Sequence, residues 1–318
     1  VKKEPNQNNC LALDLAEEKN ITNFKQYATN WLCIANLSQD SWIILSKEEQ
    51  NIKEKIETYG TPLKDWDINI YRGVLTGFNE AFIIDTKTKE RLCAEDPKST
   101  EIIKPLLRGK DIKKYKVDWA GLWLINTHNG YTKKDGTIVP RINIDNYKAI
   151  KNWLEKFLNK LQKRCDKGET PYNLRNCAYL EEFEKEKIVW NRIAKEKTFS
   201  LVEKGMQIQD SMHFFTGNHL KFLCTILNSK LTKWDLNLII GCSVGGNAGN
   251  ADNIKVLSIP LIDESAQSKY ITIFNQILEN KKVDKDTSVL ENKIDIMVYK
   301  LYHLNYQEVL VIDPAFNL

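Results

Sequence analysis

At 318 residues, with 42% hydrophobic and 28% charged side chains, the chain is long enough for one large or two ordinary domains and too apolar for a disordered polymer. No run of about 18 apolar residues occurs, so no membrane-spanning helix is expected, and the first nine residues lack the charged-then-apolar pattern of a secretory signal. The net charge of +4 is too small to mark a nucleic-acid protein by itself, but residues 71–260 hold 32 Lys/Arg against 22 Asp/Glu, while both flanking stretches are mildly acidic.

In chain order, the opening to about Asn36 shows no clear period. Together with the missing initial Met, it reads as the tail of a preceding domain in a longer protein. Ser46 to Tyr59 predicts a helix, with Ser46 and Glu49 as a capping box and Ile52 and Ile56 on one face. Ile68–Val74 and Ala81–Asp85 predict strands around a turn-rich Leu75–Glu80. Gly121–Thr127 predicts a further strand, followed by a turn over Asn129–Gly136. From Tyr147 to Arg164 the residues Ile150, Trp153, Leu154, Phe157, Leu158 and Leu161 form a single stripe, which predicts one continuous helix. Strands are expected at Ile188–Asn191 and Thr198–Val202, and a helix at His219–Asn228. After these come a small-residue loop at Gly241–Asn250 and a closing strand at Ile254–Pro260. Tyr270–Leu278 and a Ser288/Glu291-capped segment predict two amphipathic C-terminal helices. The expected fold is α+β: a mixed β-sheet body with packed helices and a helical C-terminal hairpin or spacer. The expected division is a tail or linker over 1–45, a DNA-recognition domain over 46–262 and a helical segment over 263–318.

Two segments of the basic middle are locally dense. Lys104–Lys116 has six basic residues against Asp111 alone, and Lys185–Lys197 has five against two. Tyr115 and Trp190 lie within them, a texture suited to phosphate neutralisation and base contact, although any one run also reads as a solvated face. Signals for catalysis are weak. Asp313-Pro314-Ala315-Phe316 departs from the D/N-P-P-Y/F loop of adenine methyltransferases at its third position and reads better as a helix-terminating turn. The glycines of 241–249 fit neither GxGxxG nor a P-loop. Glu184–Lys187 supplies a nuclease-like ExK only inside a charged run. The four histidines, His128, His213, His219 and His303, show no metal or triad spacing, and the seven cysteines read as reduced thiols. No metal site is expected.

Several segments together resemble the TaqI-like C-terminal specificity domain of type IIG restriction–modification enzymes and related adenine-specific DNA methyltransferases. Tyr71–Asp85 (YRGVLTGFNEAFIID) resembles the family's G-I-x-T-G-x-N-x-A-F, with Val74 and Leu75 as departures. Lys104–Ile112 (KPLLRGKDI) resembles K-P-x-L-R-G-R/K-D-I. Arg164–Arg175, Lys187–Trp190, Leu227–Lys230, Ile259-Pro260 and Leu290–Tyr302 follow in the family's order, with His303 where the family commonly has Gly. The resemblance runs over roughly 40 to 313 and is poor at the glycine loop.

The resemblance implies a double-stranded DNA target-recognition domain, itself non-catalytic, in a bacterial cytoplasmic restriction–modification protein. It implies an N-terminal methyltransferase domain of the same parent chain as partner. S-adenosylmethionine would be bound in that separate domain, with Mg2+ if the parent also cleaves DNA. Within this frame Arg72, Thr76 and Asn79 are candidate DNA contacts at the first turn. Arg108, Lys110, Lys113 and Lys114 are phosphate candidates. Arg175, Asn191 and Arg192 are base-edge candidates, because Arg suits guanine and Asn suits adenine in the major groove. For Asn79 and Arg108 the competing expectations are turn shaping and a pair with Asp111. Alternatives are a type I specificity subunit, a protein-docking module with an incidental basic surface, and a divergent nuclease or methyltransferase.

Overall fold

A computed structural model describes residues 9–12, 32–35, 45–192, 197–241 and 250–317. The fold is α+β, built on two four-stranded sheets. In the first, fully antiparallel sheet the strand order is Ser200–Val202, Lys187–Asn191, Met212–Gly217, Ile68–Arg72. The second is mixed and runs Gln207–Ile208, Ile103–Leu107, Leu122–Ile125, Ile83–Asp85, with a parallel pairing between its first two strands.

The first sheet is buried on both faces, and its alternation shows how. Ile188, Trp190 and Phe215 enter one hydrophobic core, whereas Val189, Val202, Met212 and Phe214 enter another. Successive strand side chains point to opposite faces, so a strand such as Lys187–Asn191 can serve two cores only if nearly every position is apolar. Full burial of side chains like Trp190, Phe214 and Phe215 contributes roughly 1.5–3 kcal/mol each.

On the first face lie helices from both ends of the chain. Lys47–Tyr59 carries the expected capping box, with Glu49 N–H donating to Ser46 Oγ at 3.2 Å and Ser46 N–H to Glu49 Oε2 at 2.8 Å. It shares a core with Leu220–Leu227, Glu264–Lys282, Ser288–Leu301 and Tyr306–Ile312. Lys53 to Asp235 at 2.7 Å and Lys55 to Glu308 at 2.7 Å tie it to later helices. The C-terminal hairpin therefore packs into the body rather than standing off it.

The structure departs from several sequence expectations. The stripe at 147–164 is two helices, Lys148–Glu155 and Leu158–Lys163. The Phe157 N–H reaches Leu154 at i−3, which tightens the turn and seats its ring 5.9 Å from Phe78, while Trp153 Nε1 donates to Ala81 O. Asn79–Phe82 is one helical turn before the strand. Ala251–Lys255 is helical, and only Ser258–Ile259 is strand. The cap of the last long helix is Thr287, whose Oγ1 donates to Glu291 at 2.6 Å, while Ser288 is turned toward Asp286. Of the expected tail, Asn9–Ala12 pairs antiparallel with Leu32–Ala35; the rest, and the glycine loop over 242–249, lie outside the described residues.

Candidate nucleic-acid interface

The strands Ile68–Arg72 and Lys187–Asn191 both pair antiparallel with Met212–Gly217, so they run the same way and end at one edge. The second sheet delivers Ile103–Leu107 to the same place, because Leu107 lies opposite Ile208 in the parallel pair and Gln209 N–H donates to Leu107 O at 2.9 Å. The chain then crosses from one sheet to the other through Gln209-Asp210-Ser211. This pairing brings Arg72, Arg108, Lys110, Asn191 and Arg192 together.

Within this edge Arg72 is exposed and its guanidinium lies 3.3 Å from Asp210 Oδ2. Arg192 donates to the Asp210 carbonyl at 3.3 Å. Lys197, pushed down to about 8 by burial, donates to the carbonyls of Asn191 and Arg192. Asn191 Nδ2 donates to Gly109 O at 2.8 Å. Arg108 contacts both oxygens of the buried Asp111, at 3.4 and 3.1 Å, and is therefore held as a strut with about a quarter of its side chain exposed. Lys110 is exposed. Behind the edge His213 stacks on Trp190 at 5.7 Å, and burial, followed by the charges of Arg192 and Arg72, lowers it to about 4, so it is neutral near pH 7.

Arg175 sits in an adjoining loop cluster, exposed and paired with Asp166 at 3.1 Å. Asn79 is also exposed there. Thr76 is buried, and its hydroxyl donates to Asn79 Oδ1 at 2.6 Å, so these two shape the turn; Thr76 does not reach the surface. Sequence reasoning missed the residues that hold this cluster. Buried Arg164 donates to the carbonyls of Thr76, Pro171 and Asn173 and lies 4.5 Å over the Phe82 ring. Burial lowers its guanidinium to about 10. Asn173 Nδ2 in turn reaches the carbonyls of Thr127, His128 and Ile142. Both lie in Arg164–Arg175, a stretch quoted above for its resemblance, but nothing local distinguishes a buried Arg from a surface one. The two clusters connect where Tyr179 OH donates to Arg72 O at 3.1 Å.

Lys113 and Lys114 are not at the edge cluster. They lie on the small hairpin Ile112–Lys113/Lys116–Val117, whose Lys114 pairs with Glu291 at 2.7 Å on the helix Ser288–Leu301, and whose Lys116 pairs with Asp284 at 2.6 Å in the turn before that helix. Lys113 is exposed. The ExK-like run is structural, since buried Lys187 Nζ donates to Phe183 O and Met206 O. At the C-terminus Asp313 pairs with Lys230 at 2.6 Å and the Phe316 ring packs 5.8 Å from Tyr299, so Asp313–Phe316 forms a packed turn.

The site is thus a basic, polar edge where strands of two sheets end, with no helix among the described residues long and apolar enough to cross a membrane. Residues 104–240 match the family model of the TaqI-like C-terminal specificity domain, which bears out the resemblance read from the sequence over those residues. The matched span holds Arg108, Lys110, Lys113, Lys114, Arg175, Asn191 and Arg192; Arg72, Thr76 and Asn79 precede it. The fold is similar to that of the type IIL restriction–modification enzyme MmeI, solved in complex with DNA: TM-score 0.56 at 11% identity, over 79% of this chain and 35% of that one. The type IIG restriction endonuclease BpuSI aligns with a TM-score of 0.43 at 14% identity, over 81% of this chain and 34% of that one. The chain spans about a third of the length of these two structures. No curated protein matches the sequence.

Proposed function

We propose that this chain is the DNA target-recognition domain of a restriction–modification adenine-N6 methyltransferase, positioning a separate catalytic domain on its site. The observation that carries the reading is the convergence of Arg72, Arg108, Lys110, Asn191 and Arg192 on one edge, largely inside the span that matches a specificity domain. Cations there neutralise phosphates and set register, and polar side chains between them discriminate bases. S-adenosylmethionine and the adenine-binding loop belong, in this reading, to an N-terminal methyltransferase domain of the same parent chain, with Mg2+ needed only if the parent also cleaves.

Selection of the 318-residue chain on a randomised duplex pool tests the proposal. Enrichment of a short motif supports it. Binding without enrichment, or no binding at low salt, contradicts it, and the latter favours a protein-docking module.

A further inference from the structure

Two Arg-Gly steps, from strands of different sheets, close on the same turn. A Cβ on Gly73 would lie 2.1 Å from Gln209 O and 2.4 Å from its carbonyl carbon. A Cβ on Gly109 would lie 2.1 Å from Asn191 Oδ1 and 3.6 Å from Ser211 Oγ. The Gly73 step leaves no room for a side chain, so the backbone of 72–74 lies directly on that of 208–209, while at Gly109 the backbone of 108–110 lies against the Asn191 side-chain amide.

The turn they enclose is fixed at every residue. Gln209 N–H donates to Leu107 O, Asp210 N–H to Val74 O at 3.1 Å, and Ser211 O accepts from Arg192 N–H at 3.0 Å. Asp210 is occupied by Arg72. The side chains of Gln209 and Ser211 are in a different situation: Gln209 is half-buried, Ser211 is exposed, and neither has a hydrogen-bond partner among the described residues. They line one groove with Arg108, Lys110 and Asn191.

A rigid backbone that presents two unspent polar groups between cations is what direct readout requires. The cations hold phosphates, while a side chain whose own backbone is immobilised discriminates donors from acceptors. A Gln amide offers a donor and an acceptor side by side, the pairing that adenine N6/N7 accepts, and a Ser hydroxyl pairs with several base edges. We infer that Gln209 and Ser211 are specificity-determining residues that contact base-pair edges, with Arg72, Arg108, Lys110 and Arg192 flanking them on the backbone. This rests on the target-recognition reading proposed above.

The test compares the wild-type chain, Gln209→Ala, Ser211→Ala and Lys110→Ala in the randomised-duplex selection, followed by affinity for the wild-type motif and for a shuffled duplex. Gln209→Ala and Ser211→Ala are expected to keep the wild-type unfolding midpoint and shuffled-duplex affinity, and to lose preference at one or two base pairs by about ten-fold or more. Lys110→Ala should weaken both duplexes alike. If the wild type enriches a motif and both turn variants keep it, the inference falls while the recognition reading stands. If they weaken all duplexes uniformly, as Lys110→Ala does, the turn contacts the backbone and the inference also falls. If the wild type enriches nothing, the recognition reading fails and takes the inference with it.

Discussion

Replacement of Arg164 by Met probes how the loops of the candidate interface are held. Its guanidinium is buried and donates to three carbonyls on two loops that are otherwise far apart in sequence, and it covers the Phe82 ring. Asn173 O keeps a second donor in Gly168 N–H at 3.0 Å, but Thr76 O and Pro171 O have only Arg164 among the described residues. The buried Thr76 carbonyl left unpaired costs about 1–3 kcal/mol and the half-buried Pro171 carbonyl less, and removing the desolvated charge returns part of this, so the net loss is about 1–3 kcal/mol. Urea unfolding followed by the fluorescence of the eight tryptophans would measure it. Arg164→Lys should recover only part, since a point charge cannot reproduce the planar fork that reaches both loops. A loss for Arg164→Met below about 0.5 kcal/mol, the usual scale of a surface change, would refute this account of the loop cluster.

Other perturbations give equally definite outcomes. His213 has its folded value lowered to about 4, below its ordinary 6.5, so the unfolded chain takes up the proton first and this contribution, about 3 kcal/mol, is lost as pH falls from 6.5 through 4. Asp295 works in the opposite sense. Burial raises it from 3.8 to about 6, so its contribution is present below pH 3.8 and lost as pH rises through 6. Chemical denaturation across pH 4–6.5 should show Asp295→Asn steepening the acid-side loss and His213→Phe removing it; parallel profiles would contradict both assignments. Lys114→Ala should lower stability by about 0.5–1.5 kcal/mol through Glu291 and leave the salt dependence of DNA binding unchanged; a slope reduced by about one unit would instead put Lys114 on a phosphate. Gly73→Ala forces a Cβ into the Gln209 backbone and should destabilise by about 1–3 kcal/mol, read as a lower unfolding midpoint, and a wild-type midpoint would mean that the close approach is relaxed in solution.

The local grammar of this fold is written in the sequence. Ser46 and Glu49 stand at capping-box spacing, and the run around Trp190 is apolar at successive positions because its strand faces two cores. A helical stripe is less decisive, since the residues of 147–164 stay on one side even when the helix breaks at Lys156 and Phe157. The site was legible in pieces: Arg72 lies in one expected strand and Asn191 and Arg192 at the end of another, but no strand was expected over Ile103–Leu107 to place Arg108 beside them. What brings them together is a parallel pairing between Gln207–Ile208 and Ile103–Leu107, about a hundred residues apart, and no periodicity encodes such a partner. The same holds for Arg164, whose burial depends on carbonyls supplied by two separate loops.

The central claim is that one edge of this domain reads a DNA sequence. It is tested most directly by the equilibrium affinity of the chain for its selected duplex and for a shuffled duplex of the same composition, measured over a range of salt concentrations. With Arg72, Arg108, Lys110 and Arg192 on phosphates, log K should fall against log salt with a slope of about −3 to −4 for both duplexes. The selected site should stay preferred by about a thousand-fold or more throughout. Equal affinity for the two duplexes, or a slope near zero, would contradict it.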